Sequence, residues 1–494
     1  MLPAPSSSLP DAVKELIERA LDAAQRGGAR YADIRVVERE TEGLTVKNGQ
    51  LEAANSNTSA GFGVRVLVNG AWGFSSSATL DREEAEHITR EALEIARASA
   101  VAQRQPVELD DTLPVTDTYR TPFDEDPFAV SLDDKLRILM EADAAMARVP
   151  GVAIREGNMV AGRERKTFAS LTGAWIEQEI VEAGGGLEAT AVNASEMQQR
   201  SYPNSFGGQS VTGGFEAVRA LSLAEHAQET AELAVALLDA PQCPSGEMDL
   251  ILDATQVALQ IHESCGHPTE LDRVFGTEAS YAGTSFLTTD KLNELRYGSE
   301  IVNLDADATA PGGLGTFGYD DEGVPAQRVP LIDRGLLVGY LTSRETAPRI
   351  GRTSMGSARA WMWSNIPLIR MTNINLRPGD AGSLEDLIAD TQDGIFMSIN
   401  KSWSIDDRRL NFQFGDQAGW LIKNGKRTQL VKNPTYTGIT PRFWGSCDAI
   451  CGAEEWTLWG LPNCGKGEPV QTGHVGHGAA PARFRGVKVG VGRW

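Results

Sequence analysis

His262 and His267 flank Glu263 in the segment LILDATQVALQIHESCGHPTELDRVFG, giving the pattern H-E-x-x-x-H. Two neutral imidazoles with a third protein ligand hold zinc and leave a fourth position open for water or substrate. A carboxylate beside them can take a proton from that water and pass it to a leaving amine, so Glu263 is the candidate general base. The commoner H-E-x-x-H places its histidines four apart on one helix face. Five apart, two side chains on a regular helix diverge by about 140°. The helix that carries them must therefore deform. Gly266 and Pro268 supply the means, and Pro268 biases His267 out of the α region.

The third ligand is open on spacing alone: Glu270, Asp272, Glu278 or a distant cysteine or histidine would serve. Cys243, Cys265, Cys447, Cys451 and Cys464 are few for 494 residues and odd in number, which favours reduced thiols or metal ligands over a disulfide scaffold. A self-contained site from Cys447, Cys451, Cys464 and His474 or His477 has the right donors, but its spacing fits no compact knuckle. Cys243, His87 and His226 are expected to be packed or solvated side chains.

The elements that position these groups follow from periodicity. Asp253 with Gln256 forms an N-capping pattern, and Val257, Ala258 and Ile261 give an apolar face, predicting a helix from about 254 toward 265. Upstream, after a polar Pro/Ser-rich start, residues 11–28 read as an amphipathic helix. Three strand-like runs follow, separated by Asn48-Gly49 and Asn69-Gly70, the sequence mark of type I′ hairpins. Capped helices are predicted from Asp81 and from Ser131, on one side of the sheet. Residues 152–193 return to strand character with a turn at Thr172-Gly173, and 216–240 read as one long helix. PQCPSG at 241–246 breaks the chain. The remainder is rich in glycine and turns and reads as mostly β, with PGGLGTFG taken as turn glycines rather than a phosphate loop.

This predicts an α+β protein: an N-terminal domain (1–240) of antiparallel sheet with helices, and a β-rich C-terminal domain (241–494) carrying the metal site. Forty-six basic against 67 acidic residues leave a formal charge of −21, which disfavours nucleic acid and anionic membranes as partners. No apolar run reaches membrane-spanning length and no secretory signal is evident, so the cytoplasm is the expected location.

The same residues resemble the TldD/PmbA family of metalloproteases. HESCGHPTELDRVFG resembles its zinc helix and DDEGVPAQRVPLIDRGLLVGYLTSRETA the segment that follows. IPLIRMTNINLRPGD is similar to its R-M-T-N strand, NFQFGDQAGWLIKNGKRTQLVKN to its F-x-F plus N-G hairpin, and NCGKG to its terminal segment. The resemblance implies zinc held by His262, His267 and Cys464, with Glu263 as general base. It also implies hydrolysis of extended or unfolded peptides, and a homodimer or a heterodimer with a TldE/PmbA-like paralogue. GITPRFWGSCDAICGAEEWTLWG matches no family motif; packed core is the reading preferred for its tryptophans. Two other readings stand beside this one: an H-E-x-x-G-H dipeptidyl-peptidase with a glutamate ligand, and a non-catalytic scaffold or regulatory subunit with a structural metal.

Overall fold

The computed structural model describes residues 11–111 and 114–490; the Pro/Ser-rich start lies outside them. The first helix, α1 (Asp11–Arg26), leads into β1 (Tyr31–Lys47), β2 (Gln50–Val68) and β3 (Ala71–Ser77). Asn48, Gly49, Asn69 and Gly70 all have positive φ, so both Asn-Gly pairs make the type I′ turns read from the sequence. Helix α2 (Arg82–Ala102) is capped by the Asp81 carboxylate, β4 (Thr116–Arg120) follows, and α3 (Leu132–Met146) is capped by Ser131.

Strands β5 (Val152–Ser170) and β6 (Trp175–Val192) extend the sheet, and β7 (Met197–Tyr202) and β8 (Gln209–Thr212) also pair with β6. The order is β3-β2-β1-β5-β6-β4, antiparallel except for β4 beside β6. Side chains alternate across a strand. The even positions of β1 (Ala32, Ile34, Val36, Leu44, Val46) enter the two apolar clusters shared with α1, α2 and α3. The helices thus cover one face. The odd positions turn the other way: Arg35 and Arg39 donate to the carbonyls of Asn365 and Trp361 in the second half of the chain.

The single long helix expected over 216–240 is instead two, α4 (Phe215–Ala220) and α5 (Leu223–Asp239). Ser222 between them is left-handed at φ 46°, a conformation that no helix interior accommodates. The apolar periodicity runs through the break, which is why the sequence does not reveal it.

From residue 246 the structure is mostly β, as expected. The parallel and antiparallel pairings of β9 (Gly246–Leu252), Asp393–Ile405, Asn411–Lys423, Thr435–Ile439 and Ala482–Val489 close on one another in a ring. Helix α6 (Ala254–Ile261) follows β9 at once; the Asp253 carboxylate accepts its Gln256 N–H, and Asp253 donates its own N–H to Met397. Every residue of α6 is buried, so it is a core helix, not an amphipathic surface one. An antiparallel hairpin, Thr457–Lys466 with Gln471–Ala479, lies against it. Among the described residues no helix is long and apolar enough to cross a membrane.

Candidate metal centre

The deformation demanded by the five-residue spacing is a π-helical turn. Residues His262–Gly266 leave the α-helix, and His267 donates its N–H to the carbonyl of His262. An i→i+5 bond widens the turn, bringing side chains five apart toward one face. The rings of His262 and His267 stand edge to face with centroids 4.7 Å apart. Gly266 permits this because a Cβ there would run into the Met371 side chain. Pro268 does not act as expected: His267 stays in the α region (φ −58°, ψ −46°), and the chain continues as a short 3₁₀ turn over His267–Thr269 with proline near its start. Proline is tolerated there because the first N–H groups of a helical turn have no partner to lose.

Cys464 arrives from the hairpin, 197 positions away, with Sγ 3.7 Å from Nε2 of His267. The pairing slips between Leu461 and Cys464, opposite Val475 and Gly473, and such an irregularity re-aims a side chain. One donor atom from each of His262, His267 and Cys464 lies within 4.8 Å of the others, and all three residues are buried. Tetrahedral zinc with Zn–S of about 2.3 Å and Zn–N of about 2.0–2.1 Å would hold sulfur and nitrogen about 3.5 Å apart. The donor set therefore fits such an ion.

The surroundings fix which nitrogen each ring offers. Nδ1 of His267 is 3.0 Å from Glu270 Oε2, which leaves Nε2 facing Cys464. Nδ1 of His262 is 2.8 Å from Nε2 of His477, leaving the other nitrogen of His262 free. Burial pushes His262 down to about 4 against the pull of Glu263 and Glu270. It also lowers His267, and with the neighbouring His262 it lowers His477 well below the ordinary histidine range. All three rings are thereby kept neutral, as metal ligation requires. Burial would raise the Cys464 thiol, yet Arg370 and His267 outweigh it and the net shift is downward. Burial also acts to raise Glu270; Lys466, His267 and Arg273 override it and hold that carboxyl well below the carboxylate range.

The other candidates go elsewhere. Glu270 is the partner of His267 and of Arg273, Asp272 accepts from Lys466 at 2.8 Å, and Glu278 accepts the Gly467 N–H. The separate cysteine cluster does not form: among the described residues the group of three or more donors is His262, His267 and Cys464. Cys447 and Cys451 are buried, and burial raises both thiols, Cys451 to about 12. Trp444 is fully buried among Phe443, Phe484 and Tyr297 and donates its Nε1 to Ser264 Oγ on the π turn. Trp456 and Trp459 are partly buried against the same core.

One residue beside Glu263 was not singled out in the sequence. Arg409 donates from Nη1 to Glu263 Oε2 at 2.6 Å. It sits at φ 63° in the turn between two barrel strands. The Asp406 carboxylate shapes that turn by accepting the N–H groups of Leu410 and Asn411.

The models of the PmbA/TldA metallopeptidase family match domain 1 over residues 32–96, the central domain over 125–238 and the C-terminal domain over 245–490. A metalloprotease of Methanocaldococcus jannaschii is 31% identical over 93% of this chain and 97% of its own. The chain belongs to the PmbA/TldD metallopeptidase family. A metalloprotease TldD homolog of Buchnera aphidicola from Acyrthosiphon pisum is 24% identical over 86% of this chain and 84% of its own. The solved structure of TldE from Thermococcus kodakarensis shares the fold, with TM-score 0.75 at 18% identity over 96% of this chain and all of that one. The dipeptidyl-peptidase alternative falls with this membership.

Proposed function

We propose that this metallopeptidase family member is a zinc-dependent hydrolase of extended or unfolded peptides, with zinc on His262, His267 and Cys464 and with Glu263 as general base. The observation that carries the reading is the π turn, which sets two neutral imidazoles and the Cys464 thiol around one point with Glu263 between the histidines in sequence. When bound, zinc supplies Lewis acidity that makes water a nucleophile near neutral pH and polarises a carbonyl.

The chain's own residues do the rest. Arg409 occupies one oxygen of Glu263, so the other is free to accept a proton from the attacking water. Glu263 then returns that proton to the departing amine nitrogen. Glu270 and His477 hold the two imidazoles in one orientation, and Lys466 and Arg273 keep Glu270 ionised for that task. In this reading the chain works as a dimer, with a second copy or with a TldE-like chain.

Metal content by plasma mass spectrometry on wild type and Cys464→Ala, with hydrolysis of an unstructured peptide assayed on the same samples, tests the site. About one zinc per chain, lost with activity in the variant, is expected. Full zinc occupancy in Cys464→Ala would overturn the ligand set.

A further inference from the structure

Five carboxylates of the centre and the adjoining cleft have a cationic or histidine partner: Glu263 has Arg409, Glu270 has Arg273 and Lys466, Asp272 has Lys466, Glu182 has His474, and Asp321 has Lys166. Two arginines break this rule. Arg370 is 2% exposed and spends its Nη atoms on the backbone carbonyls of Gln471 and Cys464. Arg359 spends Nη2 on those of Met371 and His474. Among the described residues, neither guanidinium has a carboxylate oxygen within 4.0 Å. The Nε of each is a buried donor with no acceptor.

Cys464 acts on both guanidinium groups, and Asp321 and Glu182 act on Arg359, but no carboxylate pairs with either, and a cation held away from water is costly until an anion pairs with it. Both arginines line one cleft, which runs between the helix-free face of the long sheet and the hairpin that carries Cys464. Its floor includes Arg39, stacked on Trp361 with 3.7 Å from guanidinium carbon to ring centroid. The cleft adjoins the metal centre through Arg370 itself, which binds the Cys464 carbonyl. Carboxylate is the anion whose planar, two-oxygen geometry a guanidinium fork matches.

We propose that Arg359 and Arg370 form a subsite for a carboxylate of the peptide substrate, beside the bond to be cleaved. The proposal rests on the peptidase reading above and adds a substrate class to it. The carboxylate is either the C-terminus of the peptide or an Asp or Glu side chain. The first makes the enzyme release C-terminal fragments, and the second makes it an endopeptidase with acidic preference. The overall charge of −21 repels acidic peptides at a distance, so the discrimination acts at contact and survives moderate salt.

The test measures binding rather than turnover. Fluorescent peptides of one neutral sequence are titrated into full-length Glu263→Gln protein as free acid and as C-terminal amide. An amidated pair carrying Glu or Gln is titrated in parallel. One carboxylate member should bind roughly tenfold or more tightly than its neutral counterpart, and the pair that shows the difference identifies its source. Arg359→Gln should erase the preference, and Arg359→Lys should retain part of it, with circular dichroism checking the fold of both. Equal binding within both pairs by the Glu263→Gln protein overturns the subsite without needing any arginine variant. Carboxylate preference in a protein whose wild type hydrolyses nothing would keep the subsite and remove the peptidase reading; metal-dependent hydrolysis without preference would do the reverse.

Discussion

Glu270 Oε2 lies 3.0 Å from Nδ1 of His267, and the same carboxylate is flanked by Arg273 and Lys466, all of them buried. A carboxylate so placed fixes the tautomer of a ligating histidine and raises its basicity. Glu270→Gln keeps the shape and removes the charge, so metal affinity measured by chelator competition should fall by about 10- to 100-fold. Stability should fall too, because Arg273 loses its anion and Lys466 keeps only Asp272. Unchanged affinity would show that His267 needs no such partner.

Gly266 lies against Met371, with no room for a Cβ. Gly266→Ala should force the π turn apart from the segment that carries Met371 and cost about 1–3 kcal/mol in a chemical denaturation curve, with reduced zinc binding. Met371→Ala in the same chain opens the space. The double variant should therefore bind zinc better than Gly266→Ala alone, a coupling that independent sites would not show.

How far the residues announced this arrangement depends on the range of the interaction. Asn48-Gly49, Asn69-Gly70 and the caps at Asp81, Ser131 and Asp253 are local chemistry, and all are where the spacing put them. The need for a distorted helix between His262 and His267 followed from angular arithmetic. The form of the distortion did not, because Pro268 satisfies a 3₁₀ start as readily as it ends a helix. Cys464 was reachable only by resemblance, since nothing local in a hairpin 197 positions away points to a histidine. Arg409, Lys466, Arg359 and Arg370 carried no signal: a lone basic residue in a turn or strand reads as solvated until the fold buries it.

Arg65 joins the two halves of the chain from inside. Its guanidinium is 2.8 Å from Asp33 on the neighbouring strand and 3.0 Å from Glu322 in the second half, and all three are buried. Glu322 also accepts the Arg344 N–H at 2.7 Å. Arg65→Met would leave two buried carboxylates without their cation, at a cost of about 3–5 kcal/mol. Urea denaturation should show that loss, and Arg65→Lys should recover part of it. A loss under about 1 kcal/mol would mean that water replaces the guanidinium and that this pair does not lock the halves together.

Acid should loosen the metal-free protein before Glu270 and Asp321 titrate, while burial raises Asp320 and Asp416, whose protonation in the fold offsets part of the loss. His262 has a folded pKa of about 4 against about 6.5 when unfolded, and burial shifts His267 and His477 the same way. The unfolded chain therefore binds more protons below about pH 6.5, and stability falls with pH through that window. The contribution is fully present above pH 6.5 and is lost as pH drops toward 4, on the order of a few kcal/mol for these rings together. Glu270 and Asp321, both held below their ordinary values, add their losses only below about pH 4.5. Melting temperatures of chelator-treated protein between pH 7 and pH 4.5 should decline steadily, and His262→Asn should decline less steeply. Parallel profiles for the two proteins would remove the buried neutral imidazole at 262 as the cause.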